Sequence, residues 1–395
     1  MLVERQTAKT VSKSSISRFQ VWVMAVAAGV SVANIYYNQP ILKEISETFS
    51  VDETSAGLIS ILSQIGYGLG LFFITPLGDK VDKKKLIISL QVMLLFSLLF
   101  ITVASNIAQV WVLSVLISIF SVSVQVIMPM AAGLDRENRG KTVGTIFTGV
   151  LIGILAARVF SGSIAEWFGW RYVYGISAIA ISVMVMLLQI TLPKVSNHFE
   201  GSYPKLLMSA LQQVKRFRLL RSTSAIGALQ FGLFSSFWTT LTFHLSGPPF
   251  YYHSDSIGLF GLVAIAGALM APVLGKRADR GDSRRVRRIA VSLIIFSIIM
   301  MMIIPTSVII LVIAVLLLDV GVQAMQVTNV ALIYTLDETS HSRINTIFMT
   351  SVFVGGALGT LAGVISWHQG GWLGVTGQML IFAVFILWLV LKERW

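Results

Sequence analysis

Two charged residues stand where charge is expensive. Asp319 is the one acid well inside an apolar run of the chain, and Arg158 is the one base inside another. A carboxylate in such a place can take up and release a proton or meet a cationic substrate, and it faces a cavity or a partner because hydrocarbon cannot solvate it. Gln323 and Gln326 follow Asp319 at i+4 and i+7, which on a helix makes one polar stripe. The bland alternative is a polar clasp between helices. Arg158 can neutralise an anion or pair with an acid, or snorkel to the nearer headgroups. Both are assigned to proton coupling.

Three further stripes can hydrogen-bond a solute: Asn34, Tyr37 and Asn38; Ser118, Ser121 and Gln125; and Ser235, Thr239 and Thr242 with Gln230 and Trp238 nearby. Each residue alone is more often a helix–helix contact than a ligand contact. Together they nominate Asn34, Tyr37, Asn38, Ser121, Gln125, Gln230, Trp238, Thr239, Gln323 and Gln326 as substrate-binding residues. A third group lies in two similar charged hairpins. Asp79 with Lys83 and Lys84 returns 200 residues later as Asp279 with Arg280 and Arg284. These acids are expected to latch a gate against a helix N-terminus or a basic partner, since carboxylates favour positive helix ends. The neighbouring bases suit anionic lipid.

Other chemistries are not supported. The five histidines have no metal-ligand spacing. Gly140-Lys141-Thr142 mimics the end of a phosphate loop, but Asp135 stands where the earlier glycine is required. With no cysteine there is neither a disulfide framework nor a thiolate metal site. No enzyme, resident cofactor or metal is expected.

The elements that must carry these residues are membrane helices. Of 395 residues, 55% are hydrophobic and 12% charged, with a mean hydropathy of +0.80; soluble domains carry about 25% charged residues. Apolar runs of about 20 residues recur, each long enough to cross a hydrocarbon core of about 30 Å. The expected spans are 19–37, 54–75, 86–104, 107–129, 142–163, 172–191, 222–244, 256–274, 288–304, 307–332, 344–366 and 373–391. The first is expected to be helical through Tyr37 and followed by an acidic loop with Glu44 and Glu47, and the fourth to end near Pro129. The segment 192–221 reads as a linker whose basic helix lies on the membrane with Leu207, Leu211 and Val214 on one face. It divides an N-terminal six-helix bundle (1–191) from a C-terminal one (222–395). With both termini cytoplasmic, 27 of 30 Lys and Arg fall in cytoplasmic segments. That bias accounts for the net charge of +12 without nucleic acid.

The halves repeat. Gln125-Val126 matches Gln326-Val327, Thr145-Ile146-Phe147 matches Thr346-Ile347-Phe348, and Gly169-Trp170 matches Gly371-Trp372. Two parallel six-span repeats are a transporter plan with substrate near the midplane between halves that rock. Glycines concentrate in spans 2, 5, 8 and 11 and are absent from spans 3 and 9. The first set is expected to form the seam between halves, and the second to face lipid.

These residues resemble the major facilitator superfamily over essentially the whole chain. Leu77, Gly78, Asp79 and Lys83-Lys84, then Gly275, Asp279, Arg280 and Arg284-Arg285, fit that superfamily's loop signature; Thr75 and Asp82 stand where glycines are usual. The segments 34–40 and 149–162 look like the arabinose-efflux and drug-efflux branch of proton antiporters. In span 5 the branch's Gly-Pro is Gly153-Ile154 here, and Ile117 and Ser118 occupy the region of the span 4 arginine. The resemblance implies twelve transmembrane helices with spans 1, 4, 7 and 10 lining the cavity. It also implies a monomeric plasma-membrane transporter exporting a small organic solute against inward proton flow. The alternatives are an importer or symporter, or a non-transporting membrane sensor.

Overall fold

The computed structural model describes residues 16–135, 138–194, 202–264, 283–337 and 340–393. Within them every regular element is a helix: α1 (Arg18–Ala33), α2 (Asn38–Phe49), α3 (Glu53–Leu69), α4 (Lys83–Thr102), α5 (Ile107–Phe120), α6 (Ser123–Leu134), α7 (Arg139–Phe168), α8 (Trp170–Thr191), α9 (Tyr203–Arg216), α10 (Arg218–Ser246), α11 (Ser254–Ala264), α12 (Ser283–Ile303), α13 (Val308–Ile333) and α14 (His341–Lys392). Short polar side chains start several of them by accepting from a free backbone N–H: Ser17 from Gln20, Asp52 from Ser55 and Asn106 from Gln109.

Among the described residues nine runs of helix are long and apolar enough to cross a membrane. The last of them, α14, is two helices meeting at Gly370 and Gly371, whose φ of +54° at Gly371 lies in the left-handed region. The 29-residue α10 is long enough for another span, and α11 is a shorter apolar helix within the described residues.

Three expectations need correction, each where a proline or small residue changes the local geometry. The first span is helical only to Ala33. A turn at 34–37 re-aims the chain into α2, so Glu44 and Glu47 lie on a helix rather than in a loop. Pro40 is the third residue of α2, where its missing N–H costs nothing because the first four have no intrahelical partner. The fourth span breaks at Ser121-Val122 and then runs through Pro129 to Leu134; membrane helices accept a proline where neighbours satisfy the freed backbone groups. After Leu69 the second span continues as a π turn (Gly70–Ile74) and a 3-10 turn (Thr75–Asp79), so Pro76 to Asp79 is still helical.

Packing inside each half is repeated. Gly149 and Gly153 bring α7 onto the backbone of Ala25 and Gly29 in α1, and Gly355 and Gly359 bring α14 onto Ala228 and Gly232 in α10. Lys84 donates to the Gln189 carbonyl at 2.7 Å, tying α4 to the end of α8. In the second half Arg287 of α12 meets Glu393, just beyond α14, at 2.5 Å. The glycines therefore divide. Gly66, Gly70, Gly149, Gly153, Gly355 and Gly359 serve packing within a half, whereas Gly57, Gly162, Gly258, Gly261 and Gly356 meet the opposite half. Glycine-free α4 and α12 do turn outward, with Phe96, Phe100, Phe296 and Ile303 exposed.

The linker helix α9 buries Leu206, Ala210 and Gln213 and leaves Leu211 exposed, with Leu207 and Val214 half-buried. Tyr203 donates its hydroxyl to the Phe73 carbonyl, and Arg216 pairs with Asp337 at 2.6 Å. Lys83, Lys84, Arg216 and Arg343 gather at one end of the molecule, the basic end.

Candidate functional site

At the centre α2, α7, α10 and α13 bring together residues from both halves. Arg158 on α7 is 2% exposed and Asp319 on α13 is 1% exposed. They interact electrostatically, yet neither carboxylate oxygen of Asp319 has a hydrogen-bond partner, nor has Nη2 of Arg158. The guanidinium is held by other means. Its Nε donates to Oε1 of Gln39 at 2.8 Å, and its Cζ lies 4.0 Å from the Trp238 ring centroid and 5.3 Å from that of Tyr36. Stacking on an indole face compensates a desolvated cation by about 2 kcal/mol. Gln39 in turn accepts at its backbone carbonyl from Thr242 of α10 at 2.6 Å, so the arginine's anchor is tied to the other half.

The nominated substrate residues separate into two groups. Asn34 donates to the Val30 carbonyl and accepts from Ser177, which also bonds Tyr37. Asn38 donates to Ser63 and accepts from Ser60. Ser121 donates to the Ile117 carbonyl, and Gln125 to the Tyr67 hydroxyl. Gln230 donates to the Val322 carbonyl and accepts from Asn329. These polar atoms are spent on the protein, so five of the six act as clasps between helices or turns of backbone, and Ser121 bonds within its own helix. By contrast Trp238 Nε1, Thr239 Oγ1 and both oxygens of Asp319 are buried without a partner. Gln323 and Gln326 are half-buried on the same helix as Asp319. Among the nominated substrate residues and Asp319, the buried atoms left open therefore lie on α10 and α13. Between the halves, beside Asn38, Gln64 and Ser235, lies a cavity of about 10 Å³, roughly the room of one water.

Seam contacts above and below this centre hold the halves. Away from the basic end, Trp367 donates to Glu53 at 2.6 Å, His253 lies 3.2 Å from Glu166, and a side chain at Gly57 would strike Val364. Nearer the middle, Gln64 donates to Thr360 at 2.9 Å, and Tyr67 and Phe353 have ring centroids 4.4 Å apart. At the basic end half-buried Asp79 interacts with Lys83 at the start of α4 and with Arg343 at the start of α14. It thus has one basic partner in its own half and one in the opposite half. Lys83 is buried, while Lys84 serves the end of α8 as described. Arg284 is half-buried at the start of α12, and Asp279 and Arg280 lie outside the described residues.

Sequence reasoning passed over Gln39, Tyr36, Gln64 and the Glu53–Trp367 contact. Gln39 stands beside the Asn34–Asn38 stripe, and its polarity one residue before Pro40 was the available signal. Nothing local marks Thr360 or Trp367 as partners of residues in the first half. Among the described residues no group of three His, Asp or Glu could hold a metal ion.

Residues 24–360 match the family model for the Major Facilitator Superfamily. The chain is 36% identical over 369 residues to the uncharacterized transporter YgaY of Escherichia coli O157:H7, covering 93% of this chain and 94% of that one. It is 21% identical over 393 residues to a Helicobacter pylori J99 protein named "Probable sugar efflux transporter", covering 95% and 97%. The crystal structure of a point mutant of the nucleoside transporter NupG superposes with a TM-score of 0.74 at 15% identity, covering 94% of this chain and 98% of that one. Two packed six-helix repeats, a polar centre between them and a family match across most of the chain agree: the protein is a multi-pass membrane transporter of the major facilitator superfamily.

Proposed function

We propose that the protein is a proton-coupled secondary transporter that exports a small organic solute, a drug, sugar or metabolite, by alternating access. The observation that carries this reading is Asp319, a buried carboxylate with two unbonded oxygens facing the charge of Arg158. Protonation would turn a neutral charge pair into a net cation without breaking any hydrogen bond of the carboxylate. That change alters what the guanidinium and the Trp238 face beside it attract, which couples proton occupancy to solute occupancy. Thr239, Gln323 and Gln326 supply the remaining polar contacts. Asp79 with Arg343 closes the basic end, and Glu53 with Trp367 closes the opposite one. The basic end is cytoplasmic, as the clustering of Lys and Arg favours, so both termini face the cytoplasm and the protein works as a monomer in the plasma membrane. The efflux direction follows the resemblance to efflux transporters.

The test is transport in proteoliposomes with an imposed pH gradient and a pH-sensitive dye in the lumen, using substrates found by an export screen over antibiotics, sugars and amino acids. Solute flux that drives counterflow of protons, and that Asp319→Asn abolishes in a folded protein, is expected. Undiminished proton-coupled flux in Asp319→Asn removes Asp319 from the mechanism; solute and protons moving in the same direction favours the symporter.

A further inference from the structure

At the basic end, where α10 begins and α14 ends, lies a pocket of about 440 Å³ lined by Arg218, Arg221, Ser222, Trp388, Lys392 and Glu393. Three cations face it. The carboxylate does not offset them: Glu393 is 5% exposed at its side chain and is spent on Arg287 at 2.5 Å and on Ser222 at 2.5 Å. Lys392 lies 4.5 Å from the centroid of the Trp388 ring, so the ammonium is placed over an indole that is half exposed. Arg221 donates to the carbonyls of Val214 and Lys215, the free end of α9, which fixes its guanidinium at the pocket. Below the cations the outer face of α14 continues as exposed Phe385, Val384 and Ile381, an i, i+3, i+4, i+7 series when counted with Trp388. Arg221 also borders a second pocket of about 420 Å³ between α10 and α14, walled by Ala225, Ala228, Val354 and Leu358.

We propose that this pocket binds the headgroup of an anionic phospholipid. The phosphate sits among Arg218, Arg221 and Lys392, and the acyl chains lie on the Trp388–Ile381 face and in the neighbouring groove. Basic pockets between transmembrane helices at the membrane surface recognise such headgroups. An aromatic ring with one apolar and one wet side belongs at that depth. The site commits to a lipid rather than to free phosphate because its cations open onto an apolar helix face. It links lipid to the linker, since Arg221 holds both the pocket and the end of α9. The inference does not depend on the direction of transport or on proton coupling.

The experiment is a thermal-shift and native mass-spectrometry titration of the purified full chain with phosphatidylglycerol, diphosphatidylglycerol, phosphatidylcholine and inorganic phosphate. The test variant is Arg218→Gln with Lys392→Gln, which leaves the structural bonds of Arg221 intact. Arg285→Gln with Arg288→Gln, exposed bases on α12, is the charge-matched control. The anionic lipids are expected to bind and stabilise, with phosphatidylcholine and inorganic phosphate silent. Affinity should fall about 30-fold in the test variant, the effect of removing two bases at an anionic surface. An equal loss in the control, an equal shift with inorganic phosphate, or unchanged lipid affinity in the test variant each overturns the site.

Discussion

Replacing Arg158 by Gln isolates Asp319 and measures how strongly the two are coupled. Asp319 is 1% exposed and has no hydrogen-bond partner, so the charge of Arg158 is what compensates its carboxylate. Removing one member of a buried charge pair costs about 3–5 kcal/mol because the other stays buried and uncompensated. The reverse change is milder. In Asp319→Asn the guanidinium keeps its 2.8 Å bond to Gln39 and its place 4.0 Å from the Trp238 centroid. The guanidinium is then the one buried charge left and keeps these contacts, so the loss should be smaller than in Arg158→Gln. The double variant should therefore recover most of the loss caused by Arg158→Gln, with a coupling energy of about 2–3 kcal/mol in the cycle. At about 2 cal/mol/K per residue for a chain of this length, Arg158→Gln lowers the unfolding midpoint on the order of 5 °C. Near-UV circular dichroism of nanodisc-embedded protein at fixed pH follows the midpoint. If Arg158→Gln melts with the parent, or if adding Asp319→Asn restores nothing, the two charges are not coupled and the central argument fails.

Three other outcomes are expected. Gly153→Val, whose new Cβ falls on the Gly29 carbonyl and must push α1 and α7 apart, should destabilise by about 1–3 kcal/mol, whereas Gly144→Ala, with nothing within 4 Å, should be neutral or stabilising by up to about 1 kcal/mol; denaturant titration separates them. Asp79→Ala should raise the reactivity of a cysteine placed at the basic end of the seam, and Trp367→Phe that of one at the opposite end, since each removes a contact between halves there; unchanged labelling rates count against these gates. Outside the membrane, the hydroxyl of Thr142 and the amides of Asn138 hold the Asp135 carboxyl below its ordinary range. A depressed folded value means that any stability from these bonds is present above the ordinary carboxylate range and is lost as pH falls through the folded value. Thr142→Val should move the titration upward, as read by the carboxyl carbon shift in an Asp-labelled sample.

What the sequence determined by itself is the membrane class, the twelve spans and their duplication. Hydropathy and length act locally: a backbone in hydrocarbon must satisfy its own hydrogen bonds, so each apolar stretch near 20 residues becomes a helix whatever its neighbours do. The second glycine of the Gly370-Gly371 turn and the charged boundaries were legible for the same reason. Prolines misled at Pro40 and Pro129, because whether a proline starts a helix, ends it or rides within it depends on where the surrounding turns break. The polar residues were legible as stripes but not as roles. A stripe says which side of a helix a side chain leaves from, not what stands opposite. Only the tertiary contacts decided that Asn34 meets Ser177 of α8, Asn38 and Gln125 meet α3, and Gln230 meets α13, spending their hydrogen bonds on the protein, while Asp319, Trp238 and Thr239 keep theirs open. The same holds for the glycines: their abundance is a property of the sequence, but whether one seats a helix of its own half or of the other is settled by which backbone arrives against it.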